Sequence, residues 1–295
     1  MLVVGLLGGS AAAFAVTERL KLERSPITHT QISKVVSPAS GRRAKVSFRL
    51  RNADRLSLAI VNSHDHIVRA LINSRAVRAG RKKYFWNGRG DDGKFVPDGT
   101  YRPRVHLANA HRTILLPNPI VVDTKPPHIA LVRTNLAVVS PDGDARHDYL
   151  KVFFRTTEPA RAILCANGRR VVKVKSFKAE SLQWGRRNGM PTRRGVYLLY
   201  LRAIDQAGNS GPRSRLFTVR IRFIELGRHI IHARAGGKIV VPVSTDARFY
   251  TWRIGSRHGR ARSRRLVLAA GAPGRYYLVV STLGHSARAL LAVAP

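Results

Sequence analysis

The residues best placed for metal chemistry lie in one acidic segment, SPDGDARHD, which contains Asp142, Asp144 and Asp148. Carboxylate oxygens are ligands that Ca²⁺ prefers. An EF-hand loop that began at Asp142 would need Gly at its sixth position and Glu at its twelfth, where this chain has His147 and Phe153. Because Asp, Gly and Ser also favour tight turns, the segment is interpreted mainly as a turn. Asp142, Asp144 and Asp148 stay calcium candidates of another geometry.

The sequence contains no recognisable motif for zinc binding, nucleotide binding or catalysis. His229 and His232 are three apart in a strand-like run, so they would face opposite sides of a sheet, and no third ligand follows at zinc spacing. The chain has no Gly-x-Ser-x-Gly elbow, no Walker loop and no dinucleotide fingerprint. The single cysteine, Cys165, is predicted to be a small buried hydrophobe, because no partner motif accompanies it. We therefore expect a protein that is not an enzyme and that binds no cofactor.

The net charge is the strongest compositional feature of the chain. Its 53 Lys and Arg residues against 16 Asp and Glu give a formal charge of +37. Such a charge creates positive potential over much of a surface, which favours anionic wall polymers, lipid headgroups or nucleic acid as partners. No helix with a basic face and no aromatic-rich RNA-binding motif accompanies the charge, so nucleic acid is the least favoured of the three. An Arg content that reflects a GC-rich genome is the alternative explanation.

The sequence contains two copies of a repeat of roughly 100 residues, and the acidic segment and Cys165 lie within the second copy. Each copy opens on VVSP, at 35–38 and 138–141, and continues with alternating apolar and polar runs that predict strands. Turn formers between apolar runs, as in NSHDHIV and ANGRRVV, predict hairpins. Each copy then has a Trp, a Gly-Arg turn, a Gly-x-Tyr element and a last strand. The aromatic pairs, Trp86 with Tyr101 and Trp184 with Tyr197, are predicted to lie in a core or at its corner.

The segment WNGRGDDGKFVPDGTYRPRVHLA resembles the Ig-like domain of the flagellar hook-capping protein FlgD, whose signature is a Trp, Asp/Asn-Gly, an acidic-Gly turn and Val-Pro-x-Gly-x-Tyr before a strand. The matching residues are Trp86, Asn87, Gly88, Asp91, Asp92, Gly93, Val96, Pro97, Gly99 and Tyr101. The second copy keeps Trp184, Gly195 and Tyr197, but has Thr192 and Arg193 in place of Val-Pro. The resemblance covers about residues 31–223 and implies β-sandwiches used for adhesion, assembly or spacing. It implies no flagellar role, because the hook-cap amino-terminal region is absent.

The amino terminus carries an uncharged apolar run, LVVGLLGGSAAAFAV, followed by TERLKLER. The run is shorter than the ~20 residues that cross a bilayer with ease. Ala13-Phe14-Ala15 supplies the small-x-small pattern of a cleavage site, although no Lys or Arg precedes the run. We expect residues 1–24 to be a signal peptide or a membrane anchor, and the chain to be secreted or to be anchored with its domains outside the membrane.

The remaining organisation is predicted as tandem immunoglobulin-like β-sandwiches in an all-β chain. The stiff segment Asp-Thr-Lys-Pro-Pro separates the two copies, which gives Ig-like domains at 27–124 and 125–223. Residues 224–295 are predicted to be a shorter, divergent β-sandwich, in which Gly274-Arg275-Tyr276 repeats the Gly-x-Tyr element and Trp252 is the candidate core Trp.

Three functions follow from these features. The leading hypothesis is a non-catalytic structural or binding module of the cell envelope that contacts anionic wall polymers, lipid headgroups or other envelope proteins. The second is an accessory module of a secreted carbohydrate-active or proteolytic system, and the third is a basic nucleic-acid binder.

Overall fold

The computed structural model describes residues 24–185, 193–262 and 264–295. In this part of the chain the regular structure consists of 25 β-strands and one 3₁₀ turn, Pro38–Ser40. The strands form sheets that pair into immunoglobulin-like sandwiches. The predicted all-β class and its sandwich architecture are therefore confirmed. The predicted signal or anchor segment, residues 1–24, lies outside the described residues except for Arg24.

The first sandwich pairs a three-stranded sheet of order β1-β3-β6 with a sheet of order β2-β9-β7-β4-β5, to which β8 adds beside β7. β2 runs parallel to β9, whereas the other pairs are antiparallel. The strands are β1 Ile27–Ile32, β2 Val35–Val36, β3 Ala44–Leu50, β4 Asp54–Val61, β5 Ile67–Val77, β6 Gly80–Trp86, β7 Gly99–Leu107, β8 Arg112–Leu115 and β9 Ile120–Val122.

The second sandwich has the same arrangement, with sheets of order β10-β12-β15 and β11-β17-β16-β13-β14. Here β11 runs parallel to β17. The strands are β10 Ile129–Thr134, β11 Val138–Val139, β12 Leu150–Thr156, β13 Ala160–Ala166, β14 Arg169–Lys173, β15 Ser181–Trp184, β16 Gly195–Asp205 and β17 Phe217–Ile221.

The third sandwich repeats this order in sheets β18-β20-β23 and β19-β25-β24-β21-β22, again with a parallel pair, β19 and β25. Its strand order is therefore the same as that of the first two sandwiches. The strands are β18 Ile224–Leu226, β19 Ile230–Arg234, β20 Lys238–Thr245, β21 Tyr250–Ile254, β22 Arg257–Ala261, β23 Arg265–Ala269, β24 Gly274–Thr282 and β25 His285–Ala294.

Alternation along the strands builds a separate core in each sandwich. In β4, Leu56, Leu58 and Ile60 are fully buried, whereas Arg55, which directly precedes Leu56, is exposed. In β24, Leu278 and Val280 are buried in the same way. Period-two patterning of this kind puts one face of a strand in the core and the other in solvent.

The chain divides into two compact units. The first comprises residues up to Lys125 together with Gln206–Asn209, and the second comprises Pro126–Asp205 and Ser210–Pro295. The second and third sandwiches thus belong to one unit. The domain limits 27–124, 125–223 and 224–295 stay predictions.

A tyrosine anchor recurs in all three sandwiches. β7, β16 and β24 each begin with Gly, and the Tyr two residues later donates its hydroxyl hydrogen bond to a carbonyl four residues before it. Tyr101 donates to Pro97 O at 2.8 Å, Tyr197 to Arg193 O at 3.0 Å and Tyr276 to Ala272 O at 3.2 Å. The bond fixes the corner by which the chain enters the strand.

We predict that Tyr101→Phe lowers the free energy of unfolding of the first sandwich by about 0.5–1.5 kcal/mol, the usual contribution of one hydrogen bond. Tyr197→Phe and Tyr276→Phe should cost less, because their hydroxyl bonds are exposed and that of Tyr101 is partly buried. Hydrogen exchange followed by mass spectrometry resolves the three sandwiches separately. An equal loss in all three variants would contradict this ranking.

Candidate functional site

The Trp residues of the repeat are buried in the core, and the Tyr of each repeat packs against its Trp. Trp86 is fully buried, donates its indole N–H to Arg89 O at 2.9 Å and lies 5.4 Å from the Tyr101 ring centre. Trp184 is also buried and meets Tyr197 edge-on at 6.2 Å. Such tilted aromatic pairs stabilise a core beyond the area they bury.

The third sandwich has no Trp at this position. Trp86 pairs with the first residue of β3 and Trp184 with the first residue of β12, but the corresponding partner of the first residue of β20 is Ala269. Trp252 lies instead in the middle of β21, half-buried and packed over Gly259. The prediction that Trp252 is the core Trp is therefore wrong, because Trp252 lies on the N-terminal side of Ala269 and belongs to a different strand.

The acidic-Gly turn of the first sandwich is held by its own carboxylates. Asp91 accepts the Ala70 N–H with both oxygens, at 3.1 and 3.2 Å, and Asp92 accepts the Lys94 N–H at 3.0 Å. Asp91 also lies 3.6 Å from the Arg69 guanidinium at an exposed position. These contacts give Asp91 and Asp92 a turn-forming role.

Gly88 and Gly93 of this turn both have a left-handed backbone, with φ of +76° and +77°. A Cβ at Gly88 would overlap the Pro38 ring, whereas one at Gly93 would meet no atom within 4 Å. Gly88 and Gly93 thus share a backbone conformation that disfavours a side chain. Only at Gly88 would an added Cβ also clash with a neighbouring residue.

We predict that Gly93→Ala costs roughly 1–3 kcal/mol of stability through backbone strain. Gly88→Ala should cost a further 1–3 kcal/mol or so, because the Pro38 ring must move. Urea unfolding monitored by hydrogen exchange in the first sandwich measures both variants. Equal costs would show that the Pro38 contact does not matter.

The three calcium candidates come together in the structure. One oxygen of each of Asp142, Asp144 and Asp148 lies within 4.8 Å of the others. These carboxylates accept hydrogen bonds from the turn itself: Asp148 from the Gly143 and Ala145 N–H groups at 2.8 and 2.7 Å, Asp142 from the Asp144 N–H at 3.4 Å, and Asp144 from the Arg146 N–H at 2.7 Å. The arrangement is what turn chemistry alone requires.

A fourth carboxylate approaches this turn from the loop between β20 and β21. Asp246 is largely buried and lies 3.4 Å from His147 Nδ1, while neither of its oxygens has a hydrogen-bond partner. Burial raises the pKa of Asp142, and the negative charges of Asp144 and Asp246 raise it further. Because the folded state then binds the proton more tightly than the unfolded chain, Asp142 favours folding most below its ordinary pKa, and this contribution is lost as pH rises through the raised pKa.

We predict that Asp144→Asn and Asp246→Asn each lower the pKa of Asp142, with the larger effect from Asp144. NMR titration of the Asp142 carboxyl measures the change. Asp65→Asn, in the first sandwich, is the control and should leave that pKa unchanged. An unchanged pKa in both test variants would show that neither charge reaches Asp142.

The connection between the second and third sandwiches is only two residues long, Arg222 and Phe223, between β17 and β18. Phe223 is buried and stacks on His285 of β25 with ring centres 3.6 Å apart and an angle of 4°. A short connection and a stacked ring pair leave the two sandwiches little freedom within their unit.

Arginines surround a cleft of about 760 Å³ beside this connection, which we call the arginine cleft. Its charged lining is contributed by the loop before β12, the β17–β18 connection, the β20–β21 loop and the β22–β23 segment. The basic residues are Arg146, His147, Arg222, Arg248, Arg262 and Arg264, and the acidic residue is Asp246. The sequence did not single out this site, because its arginines come from four separate segments; the nearest signal was the run SRHGRARSRR at 256–265.

A second cavity of about 690 Å³ adjoins the arginine cleft and shares Arg146, Arg248 and Tyr250 with it. Its wall is more apolar, with Phe249 and Leu283. Arg260 lies over the Phe249 ring, 3.4 Å from its centre. A cation on an aromatic face keeps its charge at the surface while covering apolar area.

Within residues 24–185, 193–262 and 264–295, no helix has the length and hydropathy that a bilayer crossing requires.

Comparison with known proteins gives matches at the level of structure. No protein-family model matches the chain, and no curated protein matches it in sequence. The fibronectin(III)-like modules of Clostridium thermocellum CbhA match with 14% identity over 65% of this chain and 93% of that chain, at a TM-score of 0.35. The human OSCAR ligand-binding domain matches with 15% identity over 65% and 96%, at 0.32. SGBP-B of Bacteroides ovatus, solved with a mixed-linkage heptasaccharide, matches with 13% identity over 92% and 70%, at 0.25.

Proposed function

We propose that this chain is an exported, non-catalytic module of the cell envelope, either secreted or anchored to the membrane by residues 1–24. Its sandwiches, related to the FlgD-type Ig-like domain, act as spacers and as binding surfaces. Its positive surface holds the protein against anionic polymers or lipid headgroups of the envelope, where it also meets other envelope proteins.

The observation that carries this proposal is the use of the carboxylates. Asp54 accepts hydrogen bonds from the Asn109 and Ala110 N–H groups at 2.9 and 3.1 Å, and Asp98 accepts the Thr124 N–H at 2.9 Å. Asp91 and Asp148 bind backbone N–H groups in the same way. With 53 basic residues against 16 acidic ones, even complete pairing would leave 37 basic side chains without a carboxylate, so the net charge of +37 is carried by unpaired Lys and Arg.

Several arginines lie over aromatic rings, two of which, Phe95 and Tyr277, are exposed. Arg89 lies over Phe95, Arg161 over Phe177, Arg213 over Tyr200 and Arg288 over Tyr277, at 4.0–5.4 Å from the ring centres. These contacts hold the guanidinium groups in place while leaving their charges for an external anion.

We predict that the purified chain binds isolated cell walls or anionic vesicles at 0.05 M salt and is released near 1 M salt, where the screening length falls to about 3 Å. Co-sedimentation measures the bound fraction, and neutral vesicles or walls stripped of anionic polymer are the controls. Equal binding to charged and stripped walls would contradict an electrostatic role.

Location is tested independently by cell fractionation and amino-terminal sequencing of the mature chain. The proposal expects the protein outside the cytoplasmic membrane, either shortened near Ala15 or intact in the membrane fraction. Recovery of the full-length chain in the soluble cytoplasm would overturn the envelope assignment.

A further inference from the structure

The arginine cleft concentrates positive charge more than a scattered surface would. Five arginines line it, and none of them forms an ion pair within the described part of the chain. Asp246, the one carboxylate of its lining, faces His147 and has buried oxygens. The five guanidinium groups therefore outnumber the carboxylates that line the cleft and its adjoining cavity, Asp246 and Asp144.

The chemistry of these groups selects oxyanions. A guanidinium presents five N–H donors in a planar fork that matches the oxygens of a carboxylate or a phosphate. Arg146, Arg248, Arg262 and Arg264 are exposed, so their donors can reach a ligand without unfolding. Arginines spaced around a cleft, rather than on a flat face, favour a ligand that carries several anionic groups along one chain.

The shape of the cleft distinguishes between anionic partners. A volume of about 760 Å³ lies in the range of sites that enclose a ligand of small-molecule size, which corresponds to a short stretch of one polymer strand. A bilayer surface is flat and cannot enter a concave site, and a nucleic-acid duplex is too wide for it. A single flexible strand fits.

The adjoining cavity adds an apolar contact surface. Leu283, 53% exposed, projects from the two-residue turn between β24 and β25, in which Leu283 and Gly284 have φ of +44° and +82°. Asn, Asp and Gly are the usual residues of such a turn, so a Leu held there costs stability and gives the turn an apolar side chain in solvent. The C–H face of a sugar or polyol unit is the complementary surface.

We propose that the arginine cleft binds one strand of an anionic envelope polymer in which carboxylate or phosphate groups alternate with sugar or polyol units. The oxyanions contact the five arginines, and an uncharged unit packs against Leu283 and Phe249. This inference rests on the proposed envelope function and assigns its binding site.

The test compares matched pairs of substitutions in the full-length chain. The double variant Arg248→Gln/Arg264→Gln removes two cleft charges, and Arg169→Gln/Arg170→Gln removes two charges from exposed residues at the start of β14, away from the cleft. Fluorescence anisotropy measures binding of labelled polygalacturonate, which carries carboxylates, and of labelled poly(glycerol phosphate), which carries phosphates. Circular dichroism verifies that each variant is folded.

The cleft variant is expected to weaken polymer binding by about 10-fold or more, and the control variant by about 2-fold or less. If the cleft variant does not fold, Arg146→Gln/Arg262→Gln replaces it. Leu283→Asn, which introduces a residue that the turn prefers, should weaken polymer binding about threefold while the protein remains at least as stable. A loss seen with only one polymer supports the inference and identifies the anionic group.

Two results would overturn the inference and leave the envelope function standing. One is an equal loss in the cleft and control variants, which would show that binding is spread over the surface. The other is a cleft-dependent binding of duplex DNA or of anionic vesicles that is tighter than that of either polymer. Failure of the unaltered protein to bind either polymer, cell walls or vesicles would instead overturn the proposed function itself.

Discussion

The turns of this protein use many of its few carboxylates, in a chain whose basic residues far outnumber its acidic ones. The first two sandwiches have turns whose backbone N–H groups need acceptors, and aspartates such as Asp54, Asp91 and Asp148 supply them. A carboxylate that accepts backbone N–H bonds stabilises a turn, and Asp91 does so while also lying 3.6 Å from the Arg69 guanidinium. The positive charge itself follows from the composition, 53 basic residues against 16 acidic ones, and several of the few carboxylates are used to hold turns.

The three sandwiches share one strand order but differ in their core residues and in how they are connected. The first two enclose a Trp at the end of the third strand of the smaller sheet, whereas the third has Ala269 at that place and keeps only the tyrosine anchor. The third sandwich is tied to the second by two residues and by the stack of Phe223 on His285. This close connection brings loops of both sandwiches around the arginine cleft.

Local sequence patterns were sufficient to predict the strands and turns of the fold. Alternating apolar residues predicted the strands, turn formers at 62–66 and 167–168 predicted the hairpins between β4 and β5 and between β13 and β14, and the Gly-x-Tyr spacing identified the start of β24. All of these depend on residues a few positions apart. Trp252 was misassigned because a Trp has no local signal that tells a core position from a half-buried one on a neighbouring strand.

The arginine cleft could not be predicted from the sequence, because its residues are far apart along the chain. Arg146 and Arg264 are more than 100 residues apart, and only the packing of two sandwiches brings them to one cavity. In the sequence each is one arginine among many. The turn carboxylates show the converse: their clustering was anticipated from spacing, because Asp142, Asp144 and Asp148 lie within one loop.

The most direct measurement is arginine footprinting of the full-length chain with phenylglyoxal, read by mass spectrometry, with and without an anionic polymer. The account predicts that the polymer slows modification of Arg146, Arg248, Arg262 and Arg264 and leaves Arg169 and Arg170 as reactive as before. Uniform protection of all arginines, or protection that leaves out the cleft, would contradict it.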